Sequence, residues 1–291
     1  MSINTKDIAK LRKMTNVGLL ECKKALEKAG GDIEKAVEEM RKTGLAKAVS
    51  KSDRSATEGL IVVATSEDHK KAAMIEINCE TDFVAGNEVF VAFADSLAKT
   101  ALDLATEDTQ TLLAAKDGDV TFEETRQQLV LKLGENIQLR RINLIESEGR
   151  VSFYQHGRKI GVLVSISSDN DEVGKDIAMH IAAVSPKAIS SDDLPKELVS
   201  KEKAVCEAQV KDLDKPADII EKILHGKVSK ALNEICLVGQ SFVKDPSQTV
   251  ADYLKSKNAQ VTHFIRYEVG EGMEKKVENF AEEVRKQVED K

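Results

Sequence analysis

Residues 59–104 read GLIVVATSEDHKKAAMIEINCETDFVAGNEVFVAFADSLAKTALDL, and the hydrophobic period changes twice within them. Leu60 to Ala64 and Ala72 to Asn78 are short apolar runs on either side of the polar SEDHKK, the pattern of a β-hairpin with a loop. From about Glu88 onward, Val89, Phe90, Phe93, Leu97, Ala101 and Leu104 mark one broad face of a long helix. Between the two, Asn78-Cys-Glu-Thr-Asp-Phe-Val-Ala-Gly-Asn87 turns from a buried strand into that helix. Two readings of this corner stay open on its residues alone. Thr81 or Asp82 can cap the helix, with Phe83 or Val84 packing at its start. Alternatively, a bulky apolar pair directly after an acid is a wedge offered to a partner.

Working outward, Thr121 with Glu124 forms a capping box for a helix running through Leu133 to Gly134. Ile137 to Ile145 then reads as a strand. Its alternation at Ile137 and Leu139 shifts to Ile142 and Leu144, as a bulge requires. A similar order follows downstream. Val151 to Gln155 and Ile160 to Ile166 make a second hairpin around His156, Gly157 and Arg158, and a helix with Val173, Ile177 and Ile181 stops before Pro186. The helix Thr249 to Lys257 and the strand Val261 to Val269 complete a second β-β-α-α-β series, a distant duplication of the first. That series is interrupted at about Ser191 to Val238 by charged helical sequence. Leu198, Val205 and Gln209 step at nearly heptad spacing, Asp214 with Pro216 restarts a helix, and Ile219, Ile220, Ile223 and Leu224 return along it, so a projecting helical hairpin is expected.

Upstream, three short helices are expected. Ile8, Leu11 and Met14 form one stripe, Leu19, Cys22, Leu26 and Ala29 a second, and Ile33, Ala36, Val37 and Met40 a third. Gly30 and Gly31 end the second helix, Asp32 caps the third, and Gly44 closes it. The stripe is lost over LAKAVSKSDRSAT, Leu45 to Thr57, which reads as a frayed helix leading into a linker. Val277, Phe280, Ala281, Val284 and Val288 define a last amphipathic helix.

Composition narrows the functions. The 291 residues suggest two domains, or one large one with appendages, at roughly 150 residues per domain. Forty-three Lys and Arg against 50 Asp and Glu give a net charge of −7, so no overall field draws the chain onto nucleic acid or an anionic membrane. Aromatic residues are 4% and Trp is absent, which argues against stacked bases or sugars. Cys22, Cys79, Cys206 and Cys236 form no CxxC pair, so no zinc site or disulfide framework is expected. The start, MSINTKDIAKLRKMT, has no apolar leader and no later stretch is long and apolar enough to span a bilayer, so a cytoplasmic location is expected.

The common catalytic signatures are missing. Gly174 and Gly226 precede lysines without the earlier glycine of a P-loop, and GxGxxG, GxSxG and HExxH do not occur. Asp169, Asn170, Asp171 and Gly174 begin like a calcium loop, but Val173 and His180 stand at ligand positions, leaving an acidic helix start. His180 lies on an apolar helix face and reads as a satisfied core histidine. His156, beside Tyr154 at a hairpin tip, fits a partner contact or an ordinary turn.

Taken with their order, the stretches MTNVGLLECKKALEKAGGDIEKAVEEMRKTG, INCETDFVAGNEVFVAFA, GENIQLRRI, YQHGRKIGVLV, AMHIAAVSP and IRYEVGEG resemble the bacterial elongation factor Ts family, nucleotide exchange partners of elongation factor Tu. The resemblance covers nearly the whole chain. It implies an α+β fold with antiparallel sheets in a two-lobed core. The parts expected are an N-terminal three-helix, ubiquitin-associated-like domain (1–50), a linker (51–58), core lobe 1 (59–149), core lobe 2 (150–190 and 239–272), the inserted coiled-coil hairpin (191–238) and a C-terminal helical module (273–291).

It also implies a mechanism. Thr81, Asp82, Phe83 and Val84 would enter beside the partner's nucleotide site, Phe83 opening a gap between two helices while Asp82 helps to displace the groups that hold magnesium. Tyr154 and His156 match a second-lobe contact region. An apolar patch at Val17, Leu19 and Leu20 is expected to dock on the GTPase domain, and the second lobe on the third domain of elongation factor Tu. No cofactor, resident metal, nucleic acid or membrane is implied, and a homodimer or a two-to-two complex stays open. Two other classes compete: a ubiquitin-associated-like adaptor without exchange activity, and an enzyme using Cys79 as nucleophile.

Overall fold

A computed structural model describes residues 4–15, 17–210 and 216–273. Three helices come first: α1 (Thr5–Thr15), α2 (Leu19–Lys28) and α3 (Ile33–Lys51). Ile8, Leu11, Val17, Cys22, Leu26, Ala36 and Met40 close a small core between them, completed by Leu131 from the next lobe. Gly30 and Gly31 take left-handed conformations as expected, and the Asp32 carboxylate accepts from the amides of Glu34 and Lys35. The expected stop at Gly44 is corrected. Helix α3 runs on to Lys51 because its buried ridge is Ala36, Met40, Gly44 and Ala48, one residue per turn. A Cβ at Gly44 would lie 3.3 Å from the carbonyl oxygen of Gln127, so the missing side chain lets two helices approach closely. Ala48 is buried in the core of the first lobe, so the two cores share α3.

The first lobe comprises β1 (Glu58–Thr65), β2 (Lys71–Cys79), α4 (Asp82–Ala85), α5 (Glu88–Leu104), α6 (Thr109–Ala114), a small ribbon of β3 (Lys116–Asp117) and β4 (Val120–Thr121), α7 (Phe122–Leu133) and β5 (Gln138–Glu146). Strand β2 is central, antiparallel to β1 and β5. It is buried on both faces, which explains its nearly continuous apolar run. Phe90, Phe93 and Leu97 of α5 pack on one face with Phe122 and Val130 of α7. The capping box at Thr121 is present. So is the bulge: Glu76 pairs with Arg141 and Ile77 with Leu139, leaving Arg140 as the extra residue.

The second lobe repeats this order with β6 (Arg150–His156), β7 (Ile160–Ile166), α8 (Asp171–Val184), α9 (Lys196–Val210), α10 (Ala217–Ile235), a ribbon of β8 (Ser241–Phe242) and β9 (Asp245–Thr249), α11 (Val250–Ser256) and β10 (Val261–Glu268). Again the second strand is central, in the order β10-β7-β6. Each lobe thus places a two-stranded ribbon before a helix whose N-cap threonine, Thr121 or Thr249, closes a capping box. The ribbons were not expected from the sequence, being only two to five residues per strand. The mixed architecture is α+β.

The helical insertion is α9 and α10, with a corrected seam. Leu198 packs half-buried in the hairpin as expected, beside Val199, but Val205 is 53% exposed and Gln209 is exposed while Cys206 and Val210 are buried, so beyond the first turns of α9 the contact face is rotated by one residue. Asp214 and the C-terminal helix expected over Val277–Val288 lie outside the described residues.

The two sheets pack face to face through Ile61, Met74, Ile145, Val151, Leu163 and Tyr267. Gly161 makes this possible. A Cβ there would sit 2.4 Å from Cγ2 of Ile61 and 2.9 Å from Sδ of Met74. The bulge adds a polar clamp at one edge of the joint. Arg140 and Arg141 donate to the fully buried Glu76 at 2.9 and 2.6 Å, the Gly270 amide donates at 2.8 Å, and the Arg141 guanidinium lies 3.8 Å over the Tyr267 ring. Burial opposes ionisation of Glu76, but the Gly270 and Asn78 hydrogen bonds and the two guanidinium groups outweigh it and hold the carboxyl below the usual range.

Candidate functional site

Between Cys79 and Glu88 the chain turns from the buried end of β2 into α5 through the single turn of α4. Thr81 is the N-cap: its backbone is extended and its hydroxyl accepts from the Val84 amide at 3.4 Å. Asn87 caps α5 by accepting from the Val89 amide at 3.0 Å. Both helix starts are thereby fixed. On the inner side of this turn Val84 and Ala85 enter the first core, and on the outer side Asp82 is exposed. Phe83 is 85% exposed, the most exposed large apolar side chain among the described residues. The corner therefore divides its apolar pair: Val84 anchors it and Phe83 projects.

A second segment holds the corner from behind. Helix α7 ends at Gly134, a left-handed C-cap, and the next residue, Glu135, points its carboxylate at the corner. One oxygen accepts from the amides of Glu80 and Thr81, each at 3.0 Å, and the other from the Thr81 hydroxyl at 2.6 Å. Glu80 answers by accepting from the Asn136 amide at 2.6 Å. The Asn136 side chain, itself buried, donates to the carbonyls of Ser52 at 3.2 Å and Arg54 at 2.9 Å, tying the corner to the chain that leaves α3. Neither Glu135 nor Asn136 was singled out from the sequence. They stand just after a helix-ending glycine, where no hydrophobic period marks a residue, and their partners are more than fifty residues away.

Cys79 is unsuited to nucleophilic chemistry. It is fully buried, and burial, reinforced by the Glu135 charge, pushes its thiol up to about 12. A thiol so high in pKa supplies almost no thiolate at neutral pH.

His156 sits at the end of β6, and the turn beyond it has Gly157 and Arg158 both at positive φ, closed by the Lys159 amide donating to the His156 carbonyl at 3.1 Å. This tip is locked onto the first lobe. The Ile61 amide donates to the Arg158 carbonyl at 2.7 Å, the Gln155 side chain donates to the Ile61 carbonyl at 2.8 Å, and Arg158 pairs with Asp95 of α5 at 2.9 Å. Lys159 also pairs with Glu58, the residue opposite Cys79 in the β1–β2 ladder. Both segments are therefore mounted on β1. His156 is exposed, while Tyr154 is half-buried against the second core. At the N-terminal helices Leu19 and Leu20 are 53% and 64% exposed, but Val17 is buried and supports them from inside. His180 is the satisfied core histidine expected, bonded to Gln240 and to the Val243 amide.

Among the described residues no cluster of three His, Cys, Asp or Glu could hold a metal ion, and no helix is long and apolar enough to cross a membrane. A family model described as Elongation factor TS matches residues 80–271, a span that opens at the corner and ends at the clamp on Glu76. The chain is 50% identical over 290 residues to a protein named Elongation factor Ts from Halorhodospira halophila, covering 100% of both sequences. The chain belongs to the elongation factor Ts family. The likeness extends to proteins of the same name from Methylococcus capsulatus, 50% identical with 99% of both sequences covered, and from Legionella pneumophila, 47% identical with 97% of both covered. As an elongation factor Ts family member it is a nucleotide exchange factor of translation elongation and has no covalent chemistry of its own.

Proposed function

We propose that the chain binds elongation factor Tu in its GDP form and releases the nucleotide by wedging the Thr81–Val84 corner beside the nucleotide and magnesium site. The observation that carries this reading is Phe83: a phenyl ring left 85% exposed on a turn whose neighbours are capped and anchored. An exposed apolar ring gains most by burial in a partner. Asp82 stands beside it on the exposed face, where a carboxylate can compete with phosphate for magnesium and backbone donors. Thr81 and Val84 hold the turn. The N-terminal helices, through Leu19 and Leu20, and the first lobe engage the partner's GTPase domain; Tyr154 and His156 belong to a second-lobe contact with its third domain, and the residues after 273 return to the GTPase domain. Weakened GDP binding must be matched by equally weakened factor binding in the presence of GDP.

Release of a fluorescent GDP from elongation factor Tu, with and without this protein, tests the reading. Acceleration that saturates with factor concentration is expected. An unchanged release rate would refute exchange and leave an adaptor role.

A further inference from the structure

Among the described residues, one carboxylate from outside the corner, that of Glu135, bonds to its backbone amides. Glu135 accepts three hydrogen bonds from it, two from consecutive amides and one from the N-cap hydroxyl of α4. Those donors fix the segment immediately before Asp82 and Phe83. A short helix of one turn has little stability of its own, so its orientation depends on what grips its first residues. The hydroxyl bond matters twice: with its proton given to Glu135, the Thr81 oxygen is left to accept from the Val84 amide. Glu135 therefore sets both the strand exit and the cap.

We infer that Glu135 is a positioning residue for nucleotide exchange, acting through the orientation of Phe83 and Asp82 and touching neither partner nor nucleotide. The inference rests on the wedge reading. Its physical basis is pre-organisation: a group that must enter a closed site works best when its direction is set beforehand. Without Glu135, Phe83 stays exposed and chemically intact but samples several directions, so the partner's other contacts still form while the opening step slows.

The test is a double-mutant cycle on the full chain, reading the maximal GDP release rate and the factor concentration that gives half of it. Glu135→Ala is expected to lower the maximal rate on the order of tenfold, with little change in the half-saturating concentration. Combined with Phe83→Ala, it is expected to add almost nothing, because a ring that is absent cannot be misdirected. Rate losses that multiply in the double variant would overturn the inference. So would a Glu135→Ala factor that exchanges like the native protein. If Glu135→Ala fails to fold, Thr81→Val removes the hydroxyl that Glu135 grips and is read in the same cycle. Were Phe83→Ala alone to exchange normally, the wedge reading itself would fall; a slowed Phe83→Ala beside an unaffected Glu135→Ala would remove only the role of Glu135.

Discussion

Phe83 and Val84 are consecutive, yet they forecast opposite phenotypes. Phe83 gives up almost no burial when truncated, so Phe83→Ala should leave the melting temperature unchanged while exchange falls roughly thirtyfold, the effect of about 2 kcal/mol at a recognition hot spot. Val84 is packed in the first core, and Val84→Ala should instead cost about 2 kcal/mol of stability in urea denaturation, from lost burial and a small cavity. If Phe83→Ala melted early and Val84→Ala did not, the assignment of the two faces would be wrong. Asp82→Asn keeps the size and removes the charge. It should slow GDP release at native melting temperature, and EDTA should shrink this defect more than that of Phe83→Ala, since with magnesium already removed the charge has less to displace. An EDTA-independent Asp82 defect would detach it from the metal. The sequence made the corner visible through its cap residues and bulky pair. It could not apportion Phe83 and Val84 to the two faces, because that depends on how α4 leans on β1 and β2. Nor could it reveal Glu135, whose grip is made by chain folding and not by local spacing.

Among the elements, those with a strong period were readable and those built on small residues were not. The hairpins, α5 and the bulge at Arg140 follow from alternation of large apolar side chains. Helix α3 continues past Gly44 on alanine and glycine, which carry little hydrophobic signal yet allow close approach to α7. The α9–α10 seam was displaced by one residue because both neighbours at Val205 and Cys206 are apolar, and only the second helix decides between them. The roots of that hairpin also bear on its removal. Leu237 is fully buried in the second core, and the Lys187 and Leu237 amides bond to Ile235 and Ala188, so the ends of the insertion already lie side by side. Replacing residues 196–233 by a short loop should therefore preserve exchange and a folded second lobe, with some loss of melting temperature because Leu198, Val199 and Leu232 no longer cover Ala188, Leu194 and Cys236, whereas excising 191–238 should destabilise the second lobe more. Loss of exchange in a stable 196–233 deletion would place a partner contact on the hairpin.

At the level of the whole molecule, buried ionisable groups make stability depend on pH. His180 accepts from the Val243 amide through Nδ1 at 3.3 Å and donates through Nε2 to Gln240 at 3.0 Å, an arrangement that suits the neutral ring. Burial, partly offset by the Gln240 bond, holds its pKa below the ordinary 6.5. The unfolded chain then binds a proton that the folded chain refuses, so unfolding free energy should fall as pH drops below about 6.5 and level off beneath the folded pKa. His180→Gln should flatten that part of the profile in urea titrations; an unchanged slope would assign it to other groups. Glu76 has its own low pKa and should matter only in stronger acid. Its clamp has a further consequence, in time. The Gly270 amide that completes it comes 194 residues later in the chain. During synthesis, the corner at Thr81 and its support at Glu135 both lie in the first half of the chain and can close before the rest is made, as domains generally fold from the N-terminal end. The seal between the sheets cannot. It waits for β10, so each newly made molecule can carry a formed corner on an unfinished body until that strand has emerged.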